Sequence, residues 1–467
     1  MADHRLSNRQ NLTNLTHPPN LTNLSNLSNL LLAFAVMLTV GTAASASQVL
    51  PRDHRFEVTN PGEAVAAIVA GCDRCDWGEP GREAVVMKLS VDGGYSQHLL
   101  LARGAMPAEY RVMLGPLAAG PHRLTLERDA ARSAKGAGGV TIRSMDVQTY
   151  EPSAPEYPWL NRAPILHARP GTVERFSDVP LMMYVEALGA APTEYRYTVI
   201  FSHEDGGTPT DRLMATWGRS TDIEFVYGIQ PSPSSGVPRE EYQGKDHEIL
   251  PFRGQRAGNH PLLWVSTDNN MVSDTGPDAI RFAPAPALVT LENVSREIVM
   301  DVNPWLYAVM AAELQREGWI QADAKPGSGR IPDPRTFVYV EGCGELQDAT
   351  AAFDVGIRGA APVWHPTDRG DARFRIARSG CFRVAVPLPA PVEPADVTAI
   401  RVRAYTRPPR RGEAPLAPGK GSAVMTRINA VFVLDAAFRP QRSAVQWTGR
   451  IEAVGEGPAV DLPLRPR

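Results

Sequence analysis

The chain has few cysteines, no long hydrophobic run in its body and almost no charge imbalance. Lys+Arg 48 against Asp+Glu 51 leaves a formal net charge of -3, so no global field recruits nucleic acid. The one basic run, Arg407-Pro408-Pro409-Arg410-Arg411, is short and broken by proline, which reads as a solvated loop. Beyond the N-terminal region no apolar stretch reaches the roughly 18 residues of a membrane-spanning helix, so no transmembrane segment is expected in the mature chain. Signature motifs are missing as well. There is no Gly-x-Ser-x-Gly elbow, no His-Glu-x-x-His, no P-loop and no dinucleotide fingerprint between a strand and a helix. Asp268-Asn269-Asn270 is oxygen-rich but lacks the central Gly and terminal Glu of an EF-hand loop.

Four cysteines are present, Cys72, Cys75, Cys343 and Cys381. Their context is set by residues Leu30 to Ala44, LLLAFAVMLTVGTAA, followed by Ala44-Ser45-Ala46. A short apolar core before small residues is the pattern of a cleaved signal peptide, with the cut expected near Ala46. The Asn-Leu-Thr/Ser repeats of residues 11 to 29 cannot bury a face. They formally match glycosylation acceptors but precede the cut. Export to the periplasm, cell surface or medium favours disulfides over free thiols. Two bridges are expected, Cys72–Cys75 and Cys343–Cys381. Redox and zinc roles for the Cys-x-x-Cys are disfavoured by β surroundings and by the distance along the chain to a second pair.

With 467 residues, Gly 39 and Pro 42, and prolines and glycines without period, the chain reads as many short strands joined by turns. AVVMKLSVDGGYSQHLLLARG alternates in period two around Asp92-Gly93-Gly94, a hairpin signal. EYRVMLGPLAAGPHRLTLERD and VTIRSMDVQTY add strands, as do LMMYVEAL, EYRYTVIFS, IEFVYGI and PLLWVST further on. One amphipathic helix is expected near 303–318: Asn303 to cap, Pro304 at the first position, and Trp305, Leu306, Val309, Met310 and Leu314 on one face before Gly318. The expected fold class is all-β, mainly antiparallel β-sandwich domains with few helices. Leader and signal occupy 1–46, a sandwich 47–150, a Pro-rich linker 151–164, a β-rich region with long polar loops 165–330 and a C-terminal β-rich region 331–467.

The densest polar constellation is Ser202-His203-Glu204-Asp205-Gly206-Gly207, followed by Asp211, Trp217, Arg219, Asp222 and Glu224. A strand running into an acidic turn and back could set Glu204 or Asp205 opposite Asp222 or Glu224, a paired-carboxylate arrangement for general acid–base work. Converging oxygens from Asp205, Asp268 and Asp274 would equally suit calcium, and a plain polar turn also accounts for the run. Trp217, Arg219, His260, Trp264 and Asp268 are candidate ligand-binding residues, because aromatic rings and polar edges together recognise sugars. The expected function is a glycan-facing binding or accessory protein of the cell exterior, its partner a polysaccharide or cell-envelope glycan. The alternatives are a carbohydrate-active hydrolase or lyase using residues 203–224, and a structural envelope protein without ligand.

Overall fold

Period-two burial marks strands such as Arg52–Val58 and Val397–Thr406, while Phe337–Gln347, Ala349–Ile357 and His260–Val265 are buried on both faces, in a protein whose computed structural model describes residues 51–189, 194–231, 236–359 and 362–466. The leader, the expected cut near Ala46 and the Asn-Leu-Thr/Ser repeats lie outside the described residues. The architecture is mainly antiparallel sheets packed in pairs, with parallel pairings of Ile165–His167 with His260–Val265 and of Pro180–Leu188 with Ala287–Val289, and a few short helices.

The first pair sets a four-stranded sheet (Arg52–Val58, Gly120–Arg128, Val86–Val91, Gly94–Leu100) against a three-stranded one (Ala108–Leu117, Gly62–Cys72, Val140–Tyr150). Asp92 and Gly93, at φ 50° and 83°, turn the hairpin between Val86–Val91 and Gly94–Leu100. That left-handed pair is the geometry whose twist matches two antiparallel strands. Ile68, Val86, Leu89, Leu124 and Ile142 fill the space between these sheets.

The middle pair is a six-stranded sheet whose inner strands are Asp222–Gln230, Glu194–Phe201 and Pro180–Leu188, faced by small strands at Ile165–His167 and His260–Val265. Tyr197, Val199, Tyr227 and Leu263 are buried between them. The outer face of the six-stranded sheet is apolar too, through Tyr184, Ile200 and Ile223, and is covered by the helix Trp305–Arg316. Leu306, Met310 and Leu314 of that helix are fully buried. Its start differs from the expected cap. Asn303 ends a short preceding helix, Ile298–Val302, donating its Nδ2 to the carbonyl of Val299, and Pro304 takes the cap position.

The third pair packs Gly380–Pro387, Phe337–Gln347, Ser422–Leu434 and Val445–Val454 against Val363–Pro366, Ala349–Ile357 and Val397–Thr406. Cys343 stands directly opposite Cys381 in register, and the two are bridged; Cys72 is bridged to Cys75. The basic proline-rich run after Thr406 is exposed.

All described residues belong to one compact unit. Residues 151–164 contribute buried Leu160, Asn161 and Ala163, and the Ala163 carbonyl bonds His260 at 2.8 Å. The first sandwich is sewn to the middle pair by Met113 N–H to the Ala283 carbonyl at 2.8 Å and Ala285 N–H to the Arg111 carbonyl at 3.0 Å. Among the described residues no helix is long and apolar enough to cross a membrane.

Candidate functional site

Side-chain alternation decides which members of the acidic run meet. Past the strand Glu194–Phe201 the chain passes His203, Glu204 and Asp205, and successive side chains leave in opposite directions. His203 and Asp205 go toward Asp178, and Glu204 goes toward Asp222. The return to Asp222–Gln230 is not the simple turn read from the sequence: the helix Thr210–Trp217 intervenes, ending at Gly218 with φ 64°. Gly207 turns the chain in a left-handed conformation, φ 91°, that favours glycine.

The Asp205 side gathers a dense cluster. Asp178 accepts from the Asp205 backbone N–H at 3.0 Å. Arg169 bonds Asp178, and both Arg169 (3.2 Å) and Arg175 bond Asp205. Ser177 Oγ lies 2.6 Å from Asp205 Oδ1 and 2.7 Å from Glu313 Oε1. One hydroxyl proton cannot serve two carboxylates, so one of the pair must itself be protonated. Glu313 is that partner: burial pushes it up to about 7, while Trp77 Nε1 donates to its other oxygen at 3.0 Å. Burial and the charge of Asp205 push Asp178 up to about 9. Asp205 stays below the usual carboxylate range because hydrogen bonds from Ser177, Asp178 and Arg175 outweigh its burial. Burial holds the His203 imidazole neutral, and its Nε2 has no hydrogen-bond partner.

On the Glu204 side, burial and then Asp222 push Glu204 up to about 7, and burial and then Glu224 push Asp222 up to about 8. Both are committed to internal bonds: Glu204 accepts from Thr208 N–H at 2.8 Å, and Asp222 from Asn270 Nδ2 at 3.1 Å. Glu224 accepts from Gln243 at 2.7 Å. Arg219 is 2% exposed and pairs with Glu297 at 3.2 Å. Burial opposes the ionised form of Glu297, yet Arg219 and its cationic neighbours hold it down at about 2.

The remaining sequence candidates are mostly interior. His260 is 1% exposed and bonds Glu63 at 3.1 Å. Trp264 stacks on His167 with centroids 4.4 Å apart and donates to the Pro277 carbonyl. Trp217 lies under the Arg378 guanidinium. Asp268 borders the acidic turn, its carbonyl accepting from Gly206 N–H at 2.9 Å. Asp274 instead accepts from Arg253 N–H at 2.9 Å. The triad that does converge is Asp178, His203 and Asp205, whose potential ligand atoms all lie within 4.8 Å of one another. Asp178 went unnoticed in the sequence because it sits in an unremarkable loop after the short helix Thr172–Arg175. Its left-handed backbone, φ 54°, is the one local hint, and that is read from structure.

A cleft of about 330 Å³ opens where the first sandwich meets the middle pair. Leu181, Phe282 and Pro284 line it together with Arg103, Glu109 and Trp305. Arg103 stands 4.9 Å over the Trp305 ring and donates to the Glu109 carbonyl at 3.2 Å. Neither a protein-family model nor a curated protein matches this chain. Among solved structures one likeness is to the C-terminal domain of EclA, a sugar-binding protein, at 14% identity and TM-score 0.15, covering 24% of this chain and 86% of that one. So distant a likeness carries no functional argument, and the reading rests on the cleft and the clusters.

Proposed function

We propose that this chain is an exported, glycan-facing binding protein that seats a saccharide in the cleft beside Trp305. The observation that carries the reading is the cleft itself, at about 330 Å³. That is within the range of small-ligand sites, which favour seams between packed units. Its lining suits a sugar ring, whose C–H face needs an apolar or aromatic bed and whose hydroxyl edge needs donors and acceptors. Leu181, Phe282, Pro284 and Trp305 supply the first, and Arg103, Glu109 and Asn303 the second. Export is supported by the apolar run before Ala44-Ser45-Ala46 and by the two bridges, which persist in oxidising compartments.

The hydrolase or lyase reading is less well supported, because Asp222 and Glu224 spend their carboxyls on internal partners rather than on an opening. Titration calorimetry against neutral and acidic oligosaccharides tests the proposal. At least one should bind, and Trp305→Ala should weaken it about tenfold or more with the fold unchanged by circular dichroism. Absence of binding across the panel, or affinity indifferent to Trp305→Ala, would leave the structural-envelope reading in its place.

A further inference from the structure

We propose that Asp178, His203 and Asp205 form a binding site for one divalent transition-metal cation, with Zn²⁺ as its probe. This site is separate from the saccharide cleft and stands or falls without it. The three residues come from two segments, the loop after Thr172–Arg175 and the exit of the strand Glu194–Phe201, and each offers one ligand atom within 4.8 Å of the others.

Proximity of acidic groups alone would mean little. The second observation is the imidazole. The His203 side chain is 7% exposed, yet its Nδ1 lies 3.9 Å from Asp205 Oδ1, beyond hydrogen-bond reach, and its Nε2 has no partner. Native interiors almost always give a buried ring nitrogen a partner, so this imidazole lies beside the two carboxyl groups with a nitrogen that no protein group holds. Nearby, Arg169 Nε is likewise buried and unpartnered. The guanidinium that links the two carboxylates is therefore incompletely held.

The donor set selects the cation. Two carboxylate oxygens and one imidazole nitrogen suit zinc and its first-row neighbours, whereas calcium takes six to eight oxygens. Outer groups already aim the ligands: Ser177 Oγ donates to Asp205 and the Asp205 N–H donates to Asp178. Arg169 bonds both carboxyl groups and Arg175 bonds Asp205, so the cation must take the place of guanidinium contacts and of the proton that Asp178 holds. Arg175 can leave readily, since its side chain is 57% exposed. Three protein ligands would leave a coordination position free on the side that Arg175 now covers.

The test uses the full exported chain with both disulfides formed, stripped with EDTA and titrated with ZnCl₂ and CaCl₂. One equivalent of Zn²⁺ should bind and raise the melting temperature, with Ca²⁺ at least tenfold weaker. Asp178→Asn and His203→Gln should each weaken Zn²⁺ binding tenfold or more. Arg175→Ala removes an exposed competitor without touching the core, and should tighten Zn²⁺ severalfold. The proposal is overturned if the wild type takes up no Zn²⁺, if calcium binds as well as zinc, or if Asp178→Asn and His203→Gln bind like the wild type. Unchanged or weakened affinity in Arg175→Ala would also count against it.

Discussion

Arg383 shows how much single residues carry in this molecule. It is fully buried and bonds Asp301 at 2.8 Å and Glu341 at 2.9 Å, while Phe432 packs against its guanidinium at 5.0 Å. Removing one partner of a buried ion pair strands the other charges, which costs about 3–5 kcal/mol. Arg383→Met is therefore expected to lose about that much in urea unfolding; a loss below about 1 kcal/mol would mean that Asp301 and Glu341 find other partners or protons. Asp222→Asn should behave oppositely. Its carboxyl is pushed up to about 8 by burial and by Glu224, so near neutral pH it is already mostly protonated, and the amide substitutes for a neutral acid. Stability at pH 7 should change by less than about 1 kcal/mol, and a larger loss would show that Asp222 is ionised in the fold.

At the scale of elements, the helix Trp305–Arg316 is the lid on the outer face of the six-stranded sheet, with Leu314 fully buried. Leu314→Ala should cost about 2–5 kcal/mol through lost burial and the cavity left behind. A cost well under 1 kcal/mol would mean the helix docks loosely. The two disulfides differ in what they close. Cys343–Cys381 spans a sequence separation of 38 and Cys72–Cys75 one of 3. Chain entropy makes the long loop worth roughly 4 kcal/mol and the short one less than half of that. Replacing Cys343 and Cys381 with serine should thus lower the denaturation midpoint much more than replacing Cys72 and Cys75; equal effects would contradict the loop-entropy account.

For the whole molecule, the buried carboxyls set a pH dependence. The folded-state values of Glu313 and Asp222 are raised to about 7 and about 8. The folded state therefore holds these protons more tightly than the unfolded chain. Their contribution is complete below the ordinary carboxylate range and is lost as pH rises through 7 and 8. Glu297, held at about 2, works the other way, giving stability above its ordinary value that disappears as pH falls toward 2. Burial lowers His98, His167 and His203, which opposes the carboxyls only below the ordinary histidine range. Above pH 6.5 the histidines lowered by burial no longer contribute, and His122, raised by its hydrogen bond to Asp92, changes stability in the same direction as the carboxyls. The melting temperature should fall from pH 6.5 to 8.5, and the fall should shrink in Glu313→Gln/Asp222→Asn. A flat or rising curve in the wild type would refute this assignment.

Local chemistry was enough for much of this. Alternating apolar residues marked the strands. Asp92-Gly93 specified a left-handed turn, because only small polar residues and glycine adopt that backbone cheaply. The spacing of Leu306, Met310 and Leu314, between Pro304 and Gly318, announced one helix. The two bridges expected from the even cysteine count, Cys72–Cys75 and Cys343–Cys381, are the ones formed. The helix Thr210–Trp217 escaped notice because it is only eight residues long between polar loops, although Leu213 and Trp217 are spaced along one face and Gly218 stops it.

Tertiary packing alone decided which charges meet. His260 looks in sequence like a loop ligand, yet it is spent on Glu63, 197 residues away. Glu204 and Asp205 are neighbours in the chain but part company in space, one toward Asp222 and the other toward Asp178. Hydrophobic periodicity is a property of a few consecutive residues and so is written locally. The partner of a buried charge is whatever long-range sheet packing brings within hydrogen-bond reach, and no local pattern encodes that.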